Sequence, residues 1–152
     1  MIKISHIKKI FDPKRIAGLH GVNLNIEPGQ IHALLGPSGC GKSTLVKIIE
    51  KTLSPDSGEV LIQGSLSCVS EDNEKLFRQD ESLLENLVRL HPQKGESELS
   101  EIRYFLDFFE LSNERHQPWN TLSEGQKQRA LLVQALCPVP ENLLLDEPFS
   151  KI

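Results

Sequence analysis

The spacing of hydrophobic and polar positions changes several times along the chain, and each spacing predicts a different element. Residues 2–10 mix apolar and basic positions and predict an edge strand. Apolar and polar residues alternate over 21–26, which is typical of a half-buried strand. Residues 27–30 predict a tight turn, in which proline sets φ and glycine adopts a positive φ. The next run, 31–35, is almost entirely apolar and predicts a buried parallel strand.

A helix is expected after Lys42, because the apolar residues that follow share one face at helical spacing. These residues are Leu45, Val46, Ile48 and Ile49. Serine, proline and glycine interrupt the pattern over 54–58, and residues 59–62 predict a further strand. The first part of the chain therefore has the alternation of strands and helix expected of an α/β core.

The middle of the chain has a different character. Residues 71–120 are rich in Glu, Asp, Asn and Gln, and two segments separated by 92–95 have apolar residues at helical spacing. We expect a small helical subdomain inserted into the α/β core, which resumes with a helix over about 123–136 and a strand over 143–145. The apolar residues of the insert are Leu83, Leu84, Leu87 and Val88, then Leu99, Ile102, Phe105, Leu106 and Phe109.

The composition narrows the class of protein. The chain has 152 residues, of which 38% are hydrophobic and 25% charged, which suits one globular domain with its own core. It has no apolar run long enough to span a membrane, and its net charge of -4 argues against a nucleic-acid-binding protein. The three cysteines form no CxxC pair, and the five histidines show no metal-ligand spacing. We therefore expect a soluble intracellular domain with reduced thiols.

The strongest single motif is a phosphate-binding loop, because residues 36–43 fit the pattern G-x-x-x-x-G-K-[ST] between a predicted strand and a predicted helix. Its glycines allow backbone N–H groups to surround the phosphates of ATP. Lys42 is expected to reach the β- and γ-phosphates, and the Ser43 hydroxyl to bind Mg²⁺. The alternative is a glycine-rich turn with an exposed lysine. The predicted ATP-binding residues are Gly36, Pro37, Ser38, Gly39, Cys40, Gly41, Lys42, Ser43 and Thr44.

A pair of carboxylates follows the last apolar strand. Ligands of open parallel sheets bind beyond the carboxyl ends of the strands, so Asp146 and Glu147 are expected beside the phosphate loop. Asp146 is the predicted Mg²⁺ ligand, and Glu147 is the predicted general base that polarises the attacking water. The alternative is a solvated strand end. Glu147 and Lys42 are therefore the candidate catalytic residues.

A third motif identifies the family that the chain resembles. Residues 121–129, TLSEGQKQR, resemble the LSGGQ signature of ATP-binding-cassette (ABC) ATPases. Phosphate loop, helical insert, signature, short helix and LLLDEP strand also follow in that family's order, so the resemblance covers essentially the whole chain. Independently of it, Ser123 and Gln126 have the spacing of a capping box, which predicts a helix N-terminus suited to an anion.

The resemblance implies a fold and an assembly. The fold is an α/β P-loop NTPase of the ABC type, with a parallel sheet, an N-terminal antiparallel β part and an inserted helical subdomain. The nucleotide-binding core would comprise 1–70 and 126–152, and the helical subdomain 71–125. The partner is a second ABC domain in a head-to-tail dimer, where each signature contacts ATP bound by the other subunit. The alternative is a capping box of local importance only. The signature residues are Leu122, Ser123, Glu124, Gly125 and Gln126.

Two further roles come from the resemblance alone. Phe11 lies where the family usually has a tyrosine that stacks on adenine, and the alternative is a core phenylalanine. Glu71 occupies the position of the family's glutamine-loop residue, which makes it a further candidate Mg²⁺ ligand. The similarity of 76–87 to the family supports this register, with Gln79 as the competing candidate. A carboxylate at position 71 adds negative charge near the triphosphate, so it is expected to affect hydrolysis.

The last residues of the chain also resemble the family. Residues 149–152 are similar to the start of the family's D-loop, whose aspartate and a later histidine would follow Ile152. We therefore expect a truncated domain without the last strands of its sheet, and hence weak stability and poor turnover on its own.

Three functions stay open. The leading one is ATP binding and hydrolysis, with Mg²⁺, as the peripheral cytoplasmic ATPase of an ABC transporter that contacts transmembrane subunits and no nucleic acid. The second is a nucleotide-binding module without turnover, because Glu71 replaces glutamine and the later histidine is absent. The third is a soluble ABC ATPase of translation or DNA repair, which the acidic charge balance disfavours.

Overall fold

The computed structural model describes residues 1–11, 18–91, 96–137 and 139–148, and the chain divides into two compact units, Met1–Leu66 and Ser67–Ile152. The first unit contains β1 (Ile2–Ile10), β2 (Gly18–Ile26), α1 (Lys42–Ile49) and β3 (Ser57–Ile62). The second contains β4 (Leu66–Val69, which begins at the boundary), α2 (Leu83–Leu90), α3 (Glu96–Phe108), α4 (Glu124–Leu136) and β5 (Asn142–Leu145). Short 3₁₀ helices span Glu71–Leu76 and Trp119–Thr121. No helix in the described part of the chain combines the length and the apolar character needed to cross a bilayer.

The sheet of the first unit is antiparallel and has the strand order β2-β1-β3. The prediction of β1 as an edge strand is wrong, because it is bonded on both sides and is the central strand. The side chains of Ile2, Ile4 and Ile7 are buried, whereas Lys3 and Lys8 are exposed. The basic residues therefore mark the solvent-facing side of a central strand and do not mark a sheet edge.

A bulge interrupts β1 near its middle. The pairing register shifts on both sides of the strand around His6, which has a φ of 51°. Gly58 of β3 lies against this bulge with a φ of +95°, and a Cβ at that position would lie 2.5 Å from the carbonyl oxygen of His6. Both the φ angle and the close approach therefore require glycine at position 58.

Helix α1 follows the sequence pattern closely. Its predicted inner residues are all buried, and the preceding turn over 27–30 also forms as predicted, with Gly29 at a φ of +77° and a bond from Gln30 N–H to the Glu27 carbonyl at 3.2 Å. The buried residues of the helix are Leu45, Val46, Ile48 and Ile49.

The predicted buried strand over 31–35 does not form. These residues are neither helix nor strand, and the side chains of Ile31 and Leu35 are 99% and 91% exposed. A buried parallel strand requires bonded neighbours and covered faces. No strand within the described ranges pairs with 31–35, so the apolar composition of the run is insufficient to make it a strand.

The described residues of the second unit form a hydrophobic core to which α2, α3 and α4 all contribute. Helices α2, α3 and α4 form where the sequence predicts them, and β4 pairs with β5. Val88 and Leu99, which continue the apolar spacing of the insert, are exposed. The separating segment 92–95 lies outside the described residues. The core residues are Val69, Phe77, Leu83, Leu87, Ile102, Leu106, Leu111, Trp119, Leu122, Ala130, Leu131, Leu132, Val133, Ala135 and Cys137.

One buried amide organises the segment before α2. Asn86 donates from Nδ2 to the carbonyl oxygens of Arg78 (3.0 Å), Glu81 (3.2 Å) and Ser82 (3.1 Å). Its Oδ1 accepts from the Arg78 N–H at 2.7 Å and from the guanidinium of Arg89. The Ser82–Glu85 capping box fixes the start of the same helix. The backbone of residues 78–82 is therefore held by a side chain that has no exposed surface.

Candidate nucleotide-binding site

The phosphate loop leads directly into α1, which begins at Lys42. Gly41 precedes the helix with a φ of 100°, and Gly39 has a φ of 79°. The N–H of Cys40 bonds to the Pro37 carbonyl at 3.3 Å, which closes a tight turn inside the loop. The loop therefore adopts left-handed conformations at glycines that the motif supplies, immediately before a helix N-terminus that favours an anion.

Close contacts explain two of the loop glycines. A Cβ on Gly36 would lie 2.7 Å from Cys40 Sγ, and a Cβ on Gly41 would lie 2.8 Å from Leu19 Cδ2 on strand β2. At these two positions a side chain would displace Cys40 or Leu19, whereas a Cβ on Gly39 would have no atom within 4 Å. The loop conformation fits a triphosphate, and the predicted roles are a positive charge from Lys42 and a hydroxyl ligand for Mg²⁺ from Ser43. Ser43 is exposed, which is compatible with that role.

The ammonium group of Lys42 turns back onto its own loop. Lys42 Nζ donates to the carbonyl oxygens of Gly36 (2.8 Å) and Pro37 (3.0 Å) and lies 3.9 Å from Cys40 Sγ. The cation is therefore held against the loop by backbone acceptors. Its contact with a phosphate, like the alternative of an exposed lysine on a glycine-rich turn, is not decided by these bonds and stays a prediction.

Phe11 is 61% exposed, which rules out the alternative of a core phenylalanine. Lys9 Nζ lies 5.9 Å from the centroid of its ring. The preceding residue is fixed in place, because the N–H of Ile10 donates to Asp56 Oδ2 at 2.7 Å. The pKa of the Asp56 carboxyl is lowered, mainly by this bond and next by the hydrogen bond from Lys9. An exposed ring at the end of an anchored strand is compatible with adenine stacking, which stays a prediction.

The signature residues begin helix α4 as the capping box predicts. Ser123 is the N-cap, the Gln126 N–H donates to its Oγ at 3.3 Å, and the Ser123 N–H donates to Gln126 Oε1 at 2.8 Å. Leu122 is buried, whereas Ser123 and Glu124 are exposed. The motif therefore presents a capped helix N-terminus at the surface, anchored by one apolar side chain.

The carboxylate pair lies in a turn after β5, and hydrogen bonds hold that turn at both ends. The Asp146 N–H donates to the Val69 carbonyl at 2.9 Å, and Gln128 Nε2 donates to the Pro148 carbonyl at 2.7 Å. Between them Glu147 has a φ of 49°, and a left-handed residue outside glycine costs about 1–3 kcal/mol. Glu147 is exposed and Asp146 half-buried.

The segment that leads to position 71 runs beside the carboxylate turn. β4 ends at Val69, and Glu71 begins the 3₁₀ helix that follows. Ser70 caps this helix, since its N–H and Oγ both contact Asn73 Oδ1, at 2.9 and 2.6 Å. The structure therefore places the backbone at position 71 two residues beyond the strand that bonds to Asp146. The side chain of Glu71 is outside the described residues.

The predicted site residues fall in different units. The phosphate loop and Phe11 belong to the first unit, and position 71, the signature and the carboxylate pair belong to the second. Within the second unit, hydrogen bonds connect the carboxylate turn both to the strand before position 71 and to the signature helix. The meeting of Lys42 with Asp146 and Glu147 stays a prediction.

Gln128 contacts the carboxylate turn, although the sequence motifs assigned it no role. It is buried on α4 although it is polar, and its only signal in the sequence is its position on the helix face that also carries Leu131 and Leu132. A polar residue at a predicted core position is the pattern that marks a side chain with an internal partner.

The mixed α/β fold and the glycine-rich loop before α1 define the class, which is that of the P-loop NTPases. The sequence matches the ABC transporter family over residues 19–150, and the chain belongs to that family. The expected α/β fold of the ABC type is thereby confirmed.

Curated relatives and solved structures agree with this assignment. The methionine import ATP-binding protein MetN of Haemophilus influenzae is 34% identical over all of this chain and 50% of its own length. The aliphatic sulfonates import ATP-binding protein SsuB 1 of Nocardia farcinica is 36% identical over 99% of this chain and 60% of its own length. The chain therefore spans about half the length, or slightly more, of these relatives.

Among solved structures, the dimeric post-hydrolysis state of the ATP-binding cassette MJ0796, bound to ADP and Pi, has a TM-score of 0.84 and 28% identity over 100% of this chain and 76% of that one. The cbiO1 protein of Clostridium perfringens, part of the transporter complex cbiONQ, has a TM-score of 0.81 and 27% identity, over 99% of this chain and 66% of that one.

Proposed function

We propose that this chain binds MgATP and contributes to its hydrolysis as part of the ATPase of an ABC transporter. The observation that carries the proposal is the phosphate loop, in which glycines with positive φ precede α1 and Lys42 Nζ bonds to the loop backbone. The relative that was solved with ADP and Pi supports the same chemistry. The reaction is the in-line attack of water on the γ-phosphate.

Each site residue has one chemical task in this proposal. Lys42 stabilises the negative charge of the phosphates, while Ser43 and Asp146 hold Mg²⁺, with Glu71 as a further ligand. Mg²⁺ neutralises charge on the β- and γ-phosphates when it is bound. Glu147 orients the attacking water and accepts its proton as general base. Phe11 stacks on the adenine ring.

The proposed assembly is a head-to-tail dimer with a second ABC domain. The capped N-terminus of α4 supports this, because Ser123 and Glu124 are exposed at the start of a helix, where an anion is favoured. The dimer would act at the cytoplasmic face of a membrane, bound to transmembrane subunits. The matched curated relatives are import proteins with different cargoes, which supports import as the direction and leaves the substrate unassigned.

The function is tested by phosphate release from the purified chain with MgATP, compared with its Glu147→Gln variant. We expect the variant to release about a hundredfold less phosphate and to bind a fluorescent ATP analogue as well as the parent chain does. Equal binding and equally low release in both would contradict hydrolysis. That result would favour a binding module without turnover, which the carboxylate at position 71 makes a concrete second candidate.

A further inference from the structure

We propose that Gln128 is a positioning residue, which ties the signature helix to the turn that carries Glu147 and so sets the direction of the general base. The inference rests on the proposed function, because it gives Glu147 the role of base. It goes beyond that function by giving a role to a residue that follows the five signature residues and to which no role was assigned.

The first observation is the burial of the amide. The side chain of Gln128 is 7% exposed, and together with Asn86 it is one of two buried polar residues among those whose burial the structure describes. A polar side chain inside a core is retained only when its hydrogen bonds are made there. Its Nε2 donates to the Pro148 carbonyl at 2.7 Å, across 20 residues of sequence.

The second observation is the conformation of the turn. Glu147 has a φ of 49°, although the residue before a proline normally prefers an extended backbone. Such a conformation persists only where its surroundings hold it. A described hydrogen bond flanks Glu147 on each side. The Asp146 N–H donates to the Val69 carbonyl, and Gln128 Nε2 donates to the Pro148 carbonyl.

The third observation is where Gln128 lies on its helix. α4 begins at Glu124, directly after the N-cap Ser123, so Gln128 lies about one helical turn beyond the start of the helix and two residues beyond Gln126, the last signature residue. In the proposed dimer the signature and Glu147 serve different nucleotides. A rigid bond between α4 and the turn would therefore make the orientation of the base depend on the position of the signature helix.

The experiment replaces Gln128 by methionine, which has a similar length and no donor. The matched control is Gln134→Met, because Gln134 lies on the same helix and its Oε1 has no hydrogen-bond partner among the described residues. Amide hydrogen exchange is measured on a peptide spanning 143–148, and phosphate release is measured with MgATP. In Gln128→Met we expect exchange of this peptide about tenfold faster than in the parent.

The kinetic expectation separates positioning from a general loss of structure. Gln128→Met should lower kcat about ten- to a hundredfold and leave KM unchanged, because the base is misdirected while the phosphate loop is untouched. Gln134→Met should leave both exchange and kcat as in the parent. If Gln128→Met does not fold, Gln128→Asn replaces it in the experiment. Asn keeps the amide on a side chain one methylene shorter, which withdraws it from the Pro148 carbonyl, so exchange should be faster and kcat lower than in the parent.

Three results would overturn the positioning role of Gln128. Equal exchange of the 143–148 peptide in the parent and in the Gln128 variants, or equal effects of Gln128→Met and Gln134→Met, overturns the proposal. A rise in KM that matches the fall in kcat also overturns it. If the parent chain hydrolyses no ATP, the proposed function fails, and the exchange measurement still decides whether Gln128 holds the turn.

Discussion

Lys42 Nζ lies 2.8 Å from the carbonyl oxygen of Gly36 and donates a hydrogen bond to it. The side chain that is expected to bind phosphate therefore joins Lys42, the next-to-last residue of the phosphate-loop motif, to Gly36, its first residue. A triphosphate bound by the loop would compete with this carbonyl for the ammonium group, since charged acceptors bind it more strongly than a neutral carbonyl does.

The first prediction concerns this lysine. Lys42→Met should lower the affinity for MgATP about ten- to a hundredfold, because a hydrogen bond to a charged partner is lost. The measurement is a titration with a fluorescent ATP analogue. Lys47→Met, in the last turn of the same helix, removes equal charge away from the loop and should leave the affinity unchanged. Equal losses in the two variants would refute a specific role for Lys42.

The second prediction concerns the buried amide of Asn86. Asn86→Ala should reduce the free energy of unfolding by about 2–4 kcal/mol, because the N–H and carbonyl groups of Arg78 lose the buried amide that bonds them. Urea unfolding, followed by tryptophan fluorescence, measures the change. Asn113→Ala, at an exposed position, serves as the control and should stay within about 0.5 kcal/mol of the parent chain. A similar small change for Asn86→Ala would show that the network contributes little.

The third prediction uses the single tryptophan, Trp119, whose ring stacks on Phe77 with centroids 4.0 Å apart. Because Trp119 is fully buried, its emission should be blue-shifted and resistant to acrylamide quenching. Phe77→Ala should cost about 3–5 kcal/mol in unfolding free energy and shift the emission to the red, because it leaves a cavity against the indole. Phe108→Ala removes an exposed ring and should change neither quantity. An unshifted spectrum in Phe77→Ala would contradict the stack.

The fourth prediction is a pH dependence. The bond from the Ile10 N–H, and then Lys9, lower the pKa of Asp56 in the folded chain. Asp56 therefore stabilises the fold fully above its unfolded pKa of about 3.9, and this stabilisation is lost as the pH falls through the lower folded value. Asp56→Asn should lower the Tm at pH 7, and the gap to the parent should narrow as the pH falls through this range. A gap independent of pH would contradict the assignment.

The parts of the structure that were predictable from sequence depend on short-range interactions. The glycines of the phosphate loop, the inner face of α1 and the Ser123–Gln126 capping box each involve residues within a turn or two of one another. Their geometry is set by local backbone preferences and helical periodicity, which the sequence displays directly.

The parts that were not predictable depend on distant partners. The run 31–35 has the composition of a buried strand, yet no strand in the described ranges pairs with it, and pairing is not encoded within the run itself. The central place of β1 follows from bonds to β3, more than 40 residues away in sequence. The roles of Asn86 and Gln128 likewise became visible only through the backbone groups that they bind.

The bulge at His6 in β1 and the glycine at position 58 depend on each other. Ile2 and Ile4 are buried with even spacing, and the extra residue at the bulge brings Ile7, which is oddly spaced, onto the same face. Removing one residue there would restore an unbroken alternation, so this strand can shorten by one residue without losing its core face. The close approach at Gly58 comes from the carbonyl oxygens of Ser5 and His6, which lie 2.6 and 2.5 Å from a Cβ at that position. Because Gly58 also has a φ of +95°, relatives that lack the bulge are expected to have a side chain there only where the strand has lost this positive φ as well, so that a gap and a substitution occur together.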